Sequence, residues 1–238
     1  MTIDTMSTNS STVKRGVARW FIREIVGTVM AGVILFWGAG NWNWVWGWAT
    51  VVTIAYYVFG TAFVLLPKNP ALLAERTGPK HGAKKWDTLI MIAVGTIILI
   101  IYIVGGLDAR NGWTSDFPAW AQIIGVALTL LGYTLALWAI AANAFFSLIV
   151  RIQKERGHTV ATGGPYQFVR HPGYVGTILA YIGTPMMLGS NWAILLGVIT
   201  AILIIVRTAL EDKTLLAELD GYKEYAARVR YRLLSGVW

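Results

Sequence analysis

Apolar positions along the 238-residue chain fall into six long runs, covering residues 25–40, 44–66, 88–107, 118–150, 173–188 and 192–206. A helix needs roughly 20 apolar residues to cross a hydrocarbon core of ~30 Å. The runs therefore predict about six transmembrane helices. The last two are short and separated only by Gly189, Ser190 and Asn191, which reads as a tight helical hairpin in preference to tilted, half-buried helices. Past them the pattern changes. Leu215, Leu216, Leu219, Tyr222, Tyr225, Ala226 and Val229 recur at helical spacing with Lys and Arg between them, as in an amphipathic helix, and Gly221 divides it. Residues 1–18 are polar and rich in Ser and Thr. They have neither an apolar core nor a small-residue cleavage site, so the expectation is a disordered tail rather than a signal peptide.

Composition supports a membrane chain. Hydrophobic residues make up 56% and charged residues only 13%, against about 25% charged in an ordinary soluble domain. That is too little charge to cover a soluble surface. The net charge of +8 raises nucleic acid as a partner, but its placement argues for a membrane surface instead. With six helices threaded in order, 19 of the 20 Lys and Arg residues fall on one side; Arg110 is the exception. The positive-inside rule makes that side cytoplasmic, with both termini on it. Trp37, Trp42, Trp44, Trp46 and Trp48 cluster at the first opposite turn, and Trp113, Trp120 and Trp192 at the other two, where indoles favour the headgroup level. There are no cysteines, and the three histidines (His81, His158 and His171) have no metal-ligand spacing, so no metal site is expected.

The polar chemistry lies in the longer segments on the positive side. Residues 158–176 read HTVATGGPYQFVRHPGYVG. Gly163 and Gly164 permit close approach to a ligand, Pro165 and Pro172 stiffen the chain, and Pro172 suits the first turn of the next helix. Free N–H groups there would attract an anion. The plainer alternative is a rigid turn whose Arg touches headgroups. Farther on, Arg207 and Glu211 are four residues apart and share a helix face at membrane depth, where ionisable groups are costly and tend to mark sites. A local salt bridge explains them equally well. Asn143, inside the fourth run, reads as a bond to a neighbouring helix.

The pattern Gly-Pro-Tyr-x-x-Val-Arg-His-Pro-x-Tyr-x-Gly from Gly164 to Gly176, an acidic pair after an Arg, and Gly-Tyr-x-x-Tyr-x-x-x-Val from Gly221 to Val229 resemble the isoprenylcysteine carboxyl methyltransferase family, itself related to the membrane phospholipid N-methyltransferases. The resemblance covers residues 143–238, with 19–142 matching only as apolar helices. It implies an all-α integral membrane enzyme in which the cytoplasmic loop and the C-terminal amphipathic segment form a site for S-adenosylmethionine, with S-adenosylhomocysteine as product. It also implies cofactor contacts at Gln153, His158, Thr159, Val160, Ala161, Tyr166, His171, Pro172, Gly173, Tyr174 and Glu211, and a substrate-contacting catalytic arginine at Arg207. The acidic pair is Glu211-Asp212 where the family usually has Glu-Glu. The expected acceptor is a lipophilic small molecule or lipid, carboxylate or amine, entering from the inner leaflet. The chain length resembles shorter prokaryotic members, which implies a prokaryotic cytoplasmic membrane. A membrane reductase using a nicotinamide cofactor and a non-enzymatic scaffold are the alternatives. No G-x-G-x-x-G motif stands in a strand–helix setting.

Overall fold

The computed structural model describes residues 3–77 and 82–238, with side chains from residue 11 onward; His81 lies outside the described residues. Helix α1 spans Ile3–Ala39, α2 Val45–Lys68, α3 Pro70–Glu75, α4 Lys85–Asn111, α5 Ala119–Ala142, α6 Pro172–Leu188, α7 Asn191–Glu218 and α8 Tyr222–Arg228. Residues 3–18, expected as a disordered tail, continue α1 as helix. They contain no proline, and their first glycine is Gly16, so nothing in the stretch stops the helix.

Among the described residues, five helices are long and apolar enough to cross a membrane: Ser11–Ala39, Val45–Lys68, Lys85–Asn111, Ala119–Ala142 and Asn191–Glu218. The chain is a membrane protein. The expected fifth span is α6, which has only 17 residues, or ~25 Å of helix. It is held against α5 through matched glycines. A Cβ on Gly183 would lie 2.7 Å from the Gly125 carbonyl oxygen and 2.6 Å from Thr129 Oγ1, and one on Gly176 or Gly132 would strike the other's backbone. Small residues at this spacing let two backbones touch, and dispersion and close packing then supply association energy that lipid does not.

The fourth apolar run is shorter than it reads. Helix α5 stops at Ala142, and Asn143 becomes its C-terminal cap in extended conformation. Its Oδ1 accepts from Phe145 N at 2.8 Å and its Nδ2 donates to Tyr166 Oη at 3.3 Å. An asparagine offers the backbone a local alternative to helix, and residues 145–150, mostly apolar, line a cavity instead of continuing the helix. Helix α7, in contrast, runs three turns past the expected end of its span. The amphipathic segment is thus the lower part of α7 followed by α8, and Gly221 forms the break in left-handed conformation, with φ +77°.

The tryptophan-rich end is closed. Asp108 accepts from both the N–H and the hydroxyl of Thr114 at 2.7 Å, and Asn191 N donates to that hydroxyl at 3.1 Å. The opposite end is open, and there α3 braces the loop that follows α5. Asn69 caps α3, accepting from Leu72 N at 3.1 Å. Glu75 then pairs with Arg151 at 2.6 Å and Arg156 at 3.2 Å.

Candidate functional site

The loop of residues 143–171 folds back beneath α5 and meets the start of α6, the lower part of α7, and α8. Between them is a cavity of about 290 Å³. Of the residues expected at a site, His158, Thr159, Val160, Ala161, Tyr166, His171, Gly173, Tyr174, Glu211 and Arg207 all line it. Gln153 and Pro172 do not. Gln153 is fully buried behind the cavity wall, donating Nε2 to Phe145 O at 2.8 Å and accepting from Arg156 at 2.7 Å. Its backbone N–H donates to His158 Nδ1 at 3.3 Å. Gln153 therefore shapes the loop and fixes the imidazole. Pro172 is the buried first residue of α6. The anion pocket expected at this helix start is narrower than the sequence suggests. The N–H groups of Tyr174 and Val175 donate to His171 O at 3.0 and 3.3 Å, which leaves Gly173 as the free donor of the first turn.

Glu211 and Arg207 line one wall but do not pair. Glu211 Oε2 accepts the Tyr174 hydroxyl, and among the described residues its Oε1 accepts no hydrogen bond. Arg207 is 5% exposed and its Nε donates to Asp87 Oδ1 at 2.6 Å. Nη2 donates to Leu148 O at 3.0 Å, and the guanidinium stacks over the Tyr174 ring at 5.1 Å. Among the described residues Nη1 has no partner. Asp87 is fully buried, and its Oδ2 accepts from Val150 N at 2.8 Å. This aspartate, on α4 and outside the resemblance, went unnoticed in the sequence. Its signal was a lone acid beside Lys84 and Lys85 at the start of an apolar run.

Asp212, the second acid of the pair, turns the other way and binds the assembly together. Its two oxygens accept from Arg170 Nε and Nη2 at 2.8 and 2.9 Å, Arg232 Nε at 2.8 Å, Tyr222 Oη at 2.9 Å and His171 Nε2 at 3.1 Å. Arg170 also donates Nη1 to the carbonyls of Val229 and Arg230, and the N–H groups of Arg170 and His171 donate to Tyr231 O and Arg232 O. One carboxylate thereby ties the loop, α7, α8 and the last residues into a single wall. Burial works against the Arg170 charge, but the hydrogen bond and charge of Asp212 outweigh it and raise its pKa. Burial pushes the Tyr166 hydroxyl up and takes Tyr225 up to about 12, so both are neutral. Tyr225 donates to Tyr166 O at 2.7 Å. His158 is pushed below its usual value, first by burial and then by Arg151 and Arg156. It is a neutral imidazole with Nδ1 accepting, and its ring packs on Phe145 at 4.6 Å.

The cavity has the chemistry of a cation-bearing polar ligand. It offers a free carboxylate oxygen, the Tyr166, Tyr174, Tyr222 and Tyr225 rings, and an irregular strip at Thr159–Ala161 whose N–H groups make no backbone hydrogen bond among the described residues. Arg207 sits on the inner side, toward the bundle.

The family model described as phospholipid methyltransferase matches residues 120–220. Protein-S-isoprenylcysteine O-methyltransferase B of Arabidopsis thaliana is 32% identical over 107 residues, covering 44% of this chain and 50% of the relative. The Xenopus laevis protein-S-isoprenylcysteine O-methyltransferase is 39% identical over 94 residues, 34% of this chain and 33% of its own length. The human enzyme of that name is 36% identical over 70 residues, 29% and 25% of the respective lengths. The chain thus spans half or less of these curated relatives. All three carry methyltransferase names, which leaves the reductase and scaffold alternatives without support.

Proposed function

We propose that this chain, similar over its second half to isoprenylcysteine carboxyl methyltransferases, is an S-adenosylmethionine-dependent methyltransferase acting on the carboxylate of a lipophilic acceptor. The observation that carries this reading is the line Asp87–Arg207–Tyr174–Glu211, which runs from behind the cavity along one of its walls. It places a fixed cation on the bundle side and a free carboxylate oxygen on the loop side.

The cofactor, when bound, supplies an electrophilic methyl carbon on a sulfonium. The chain's own residues do the rest by binding and positioning. Glu211 Oε1 accepts from a ribose hydroxyl or the ammonium, and the aromatic faces beside it suit a cation. The free N–H groups of residues 159–161 and neutral His158 hydrogen-bond the remaining polar edges, and the Gly173 N–H takes a carboxylate oxygen. Arg207 Nη1 holds the acceptor carboxylate by a charge-assisted bond. A carboxylate nucleophile has no proton to lose, so no general base is required. Orientation and removal of water at the displacement supply the rate.

An amine acceptor, as in phospholipid N-methylation, suits this wall less well. Arg207 repels an ammonium, and the His171 Nε2 that would take its proton is already engaged by Asp212 and Tyr222. Distribution of Lys and Arg supports an orientation with the cavity and both termini cytoplasmic. The acceptor then reaches Arg207 from the inner leaflet. Incubating the protein in lipid discs with methyl-labelled cofactor and a membrane lipid extract tests the reading. Label is expected in an organic-soluble, base-labile ester, lost in Arg207→Ala. Base-stable label would indicate an amine product, and no label at all would defeat the proposal.

A further inference from the structure

The cavity continues past Arg207 into the middle of the bundle, where Tyr57 of α2 and Tyr181 of α6 line it. Neither hydroxyl is hydrogen-bonded to a protein group among the described residues, and neither is sealed from open space. Tyr57 stacks on Tyr133 of α5 with centroids 4.7 Å apart. Tyr102 of α4 lies near Tyr133 and Tyr181. Four of the chain's ten tyrosines thus converge halfway along the helices. Packing alone does not require this, because phenylalanine fills nearly the same volume without a polar atom. A hydroxyl in an apolar interior costs free energy unless something bonds it. Polar groups at membrane depth therefore point to a ligand.

Register gives the ligand's length. Tyr174, which carries the Arg207 guanidinium on its ring, and Tyr181 are seven residues apart on α6, hence on one face and about 10 Å apart along its axis. We propose that the tyrosine-lined inner chamber is a second acceptor subsite. It takes the far end of a lipophile bearing a hydrogen-bonding oxygen roughly 10 Å from the methylated carboxylate. The substrate is then an oxygenated, two-headed lipophile rather than a plain hydrocarbon chain. This inference rests on the methyltransferase reading, which assigns the outer cavity to the cofactor.

The test compares decanoic acid with 10-hydroxydecanoic acid, which share a carboxylate for Arg207 and a chain length but differ at the far end. Affinity of each is measured for protein loaded with S-adenosylhomocysteine in lipid discs, with empty discs subtracting partition into lipid. A net hydrogen bond corresponds to a preference of about two- to tenfold for the hydroxy acid. That preference falls to about one in the Tyr57→Phe/Tyr181→Phe variant, which loses no bond present in the structure and so keeps its stability. Tyr56→Phe, altered on the lipid-facing side of α2 where Tyr56 is 39% exposed, retains the preference. Equal affinities in the unmodified protein, as a water-filled chamber would give, overturn the subsite. So does a preference that survives in the double variant, or no binding of either acid. Failure of S-adenosylhomocysteine to bind in the first place would instead remove the methyltransferase reading, and this inference with it.

Discussion

Asp87 is expected to control turnover through Arg207 without touching either substrate. Its carboxylate meets two N–H donors, Arg207 Nε at 2.6 Å and Val150 N at 2.8 Å, and is fully buried, as Arg207 nearly is. Replacement by Asn offers only one oxygen to those two donors and removes the charge. Taking one partner from a buried pair leaves the other charge uncompensated at a cost of about 3–5 kcal/mol. If only half of that cost falls on the competent placement of Arg207, kcat/KM drops by roughly tenfold or more. Cofactor affinity should change little, because Asp87 stands outside the cavity lining and bonds Arg207 and Val150, not Glu211, Tyr174 or the 158–161 strip. The assay combines methyl transfer, calorimetry with S-adenosylhomocysteine, and thermal unfolding in lipid discs. The double variant Asp87→Leu/Arg207→Met separates positioning from structure. Removing both charges should recover most of the lost stability yet restore no turnover. Unchanged turnover in Asp87→Asn, or activity in the double variant, would refute the argument.

Other expectations follow from the same geometry. Asp212→Ala leaves Arg170 unpaired and unties the C-terminal wall, so stability falls by about 3–5 kcal/mol and limited proteolysis cuts after α7. Gly183→Ala drives a Cβ into the α5 backbone and should lower the melting temperature, whereas Gly95→Ala, with nothing within 4 Å, should leave it unchanged or stabilise by about 0.5–1 kcal/mol. His158 has a lowered pKa in the folded chain. Its contribution is therefore fully present above the unfolded value near 6.5 and is lost as pH falls through the folded value. The melting temperature of His158→Phe should consequently depend less on pH between about 7 and 5 than that of the unmodified protein.

Much of the fold was legible because lipid imposes a strong pattern. Apolar runs, their flanking charges and the tryptophans were visible as composition. The errors came where apolar residues serve something other than lipid. Residues 145–150 read as helix but wall a cavity, and Asn143 gave the break away only through its capping chemistry. Among the candidate site residues, those of the loop and the lower α7 do face one cavity. Gln153 and Pro172 stand behind it, since resemblance transfers position along the chain but not the direction a side chain points. Asp87 lay beyond sequence reasoning because its partner is 120 residues away. The sequence put Arg207 and Glu211 on one helix face, and only the fold shows the acids of α7 dividing their work: Glu211 toward the cavity, Asp212 toward the wall.

Calorimetric titration of S-adenosylhomocysteine into the protein in lipid discs tests the central claim most directly. The account predicts saturable one-to-one binding. Glu211→Ala should weaken it by about ten- to a hundredfold, the worth of a hydrogen bond to a charged group, and Arg207→Ala should leave it unchanged. No saturable binding, or a loss in Arg207→Ala as large as that in Glu211→Ala, would contradict it.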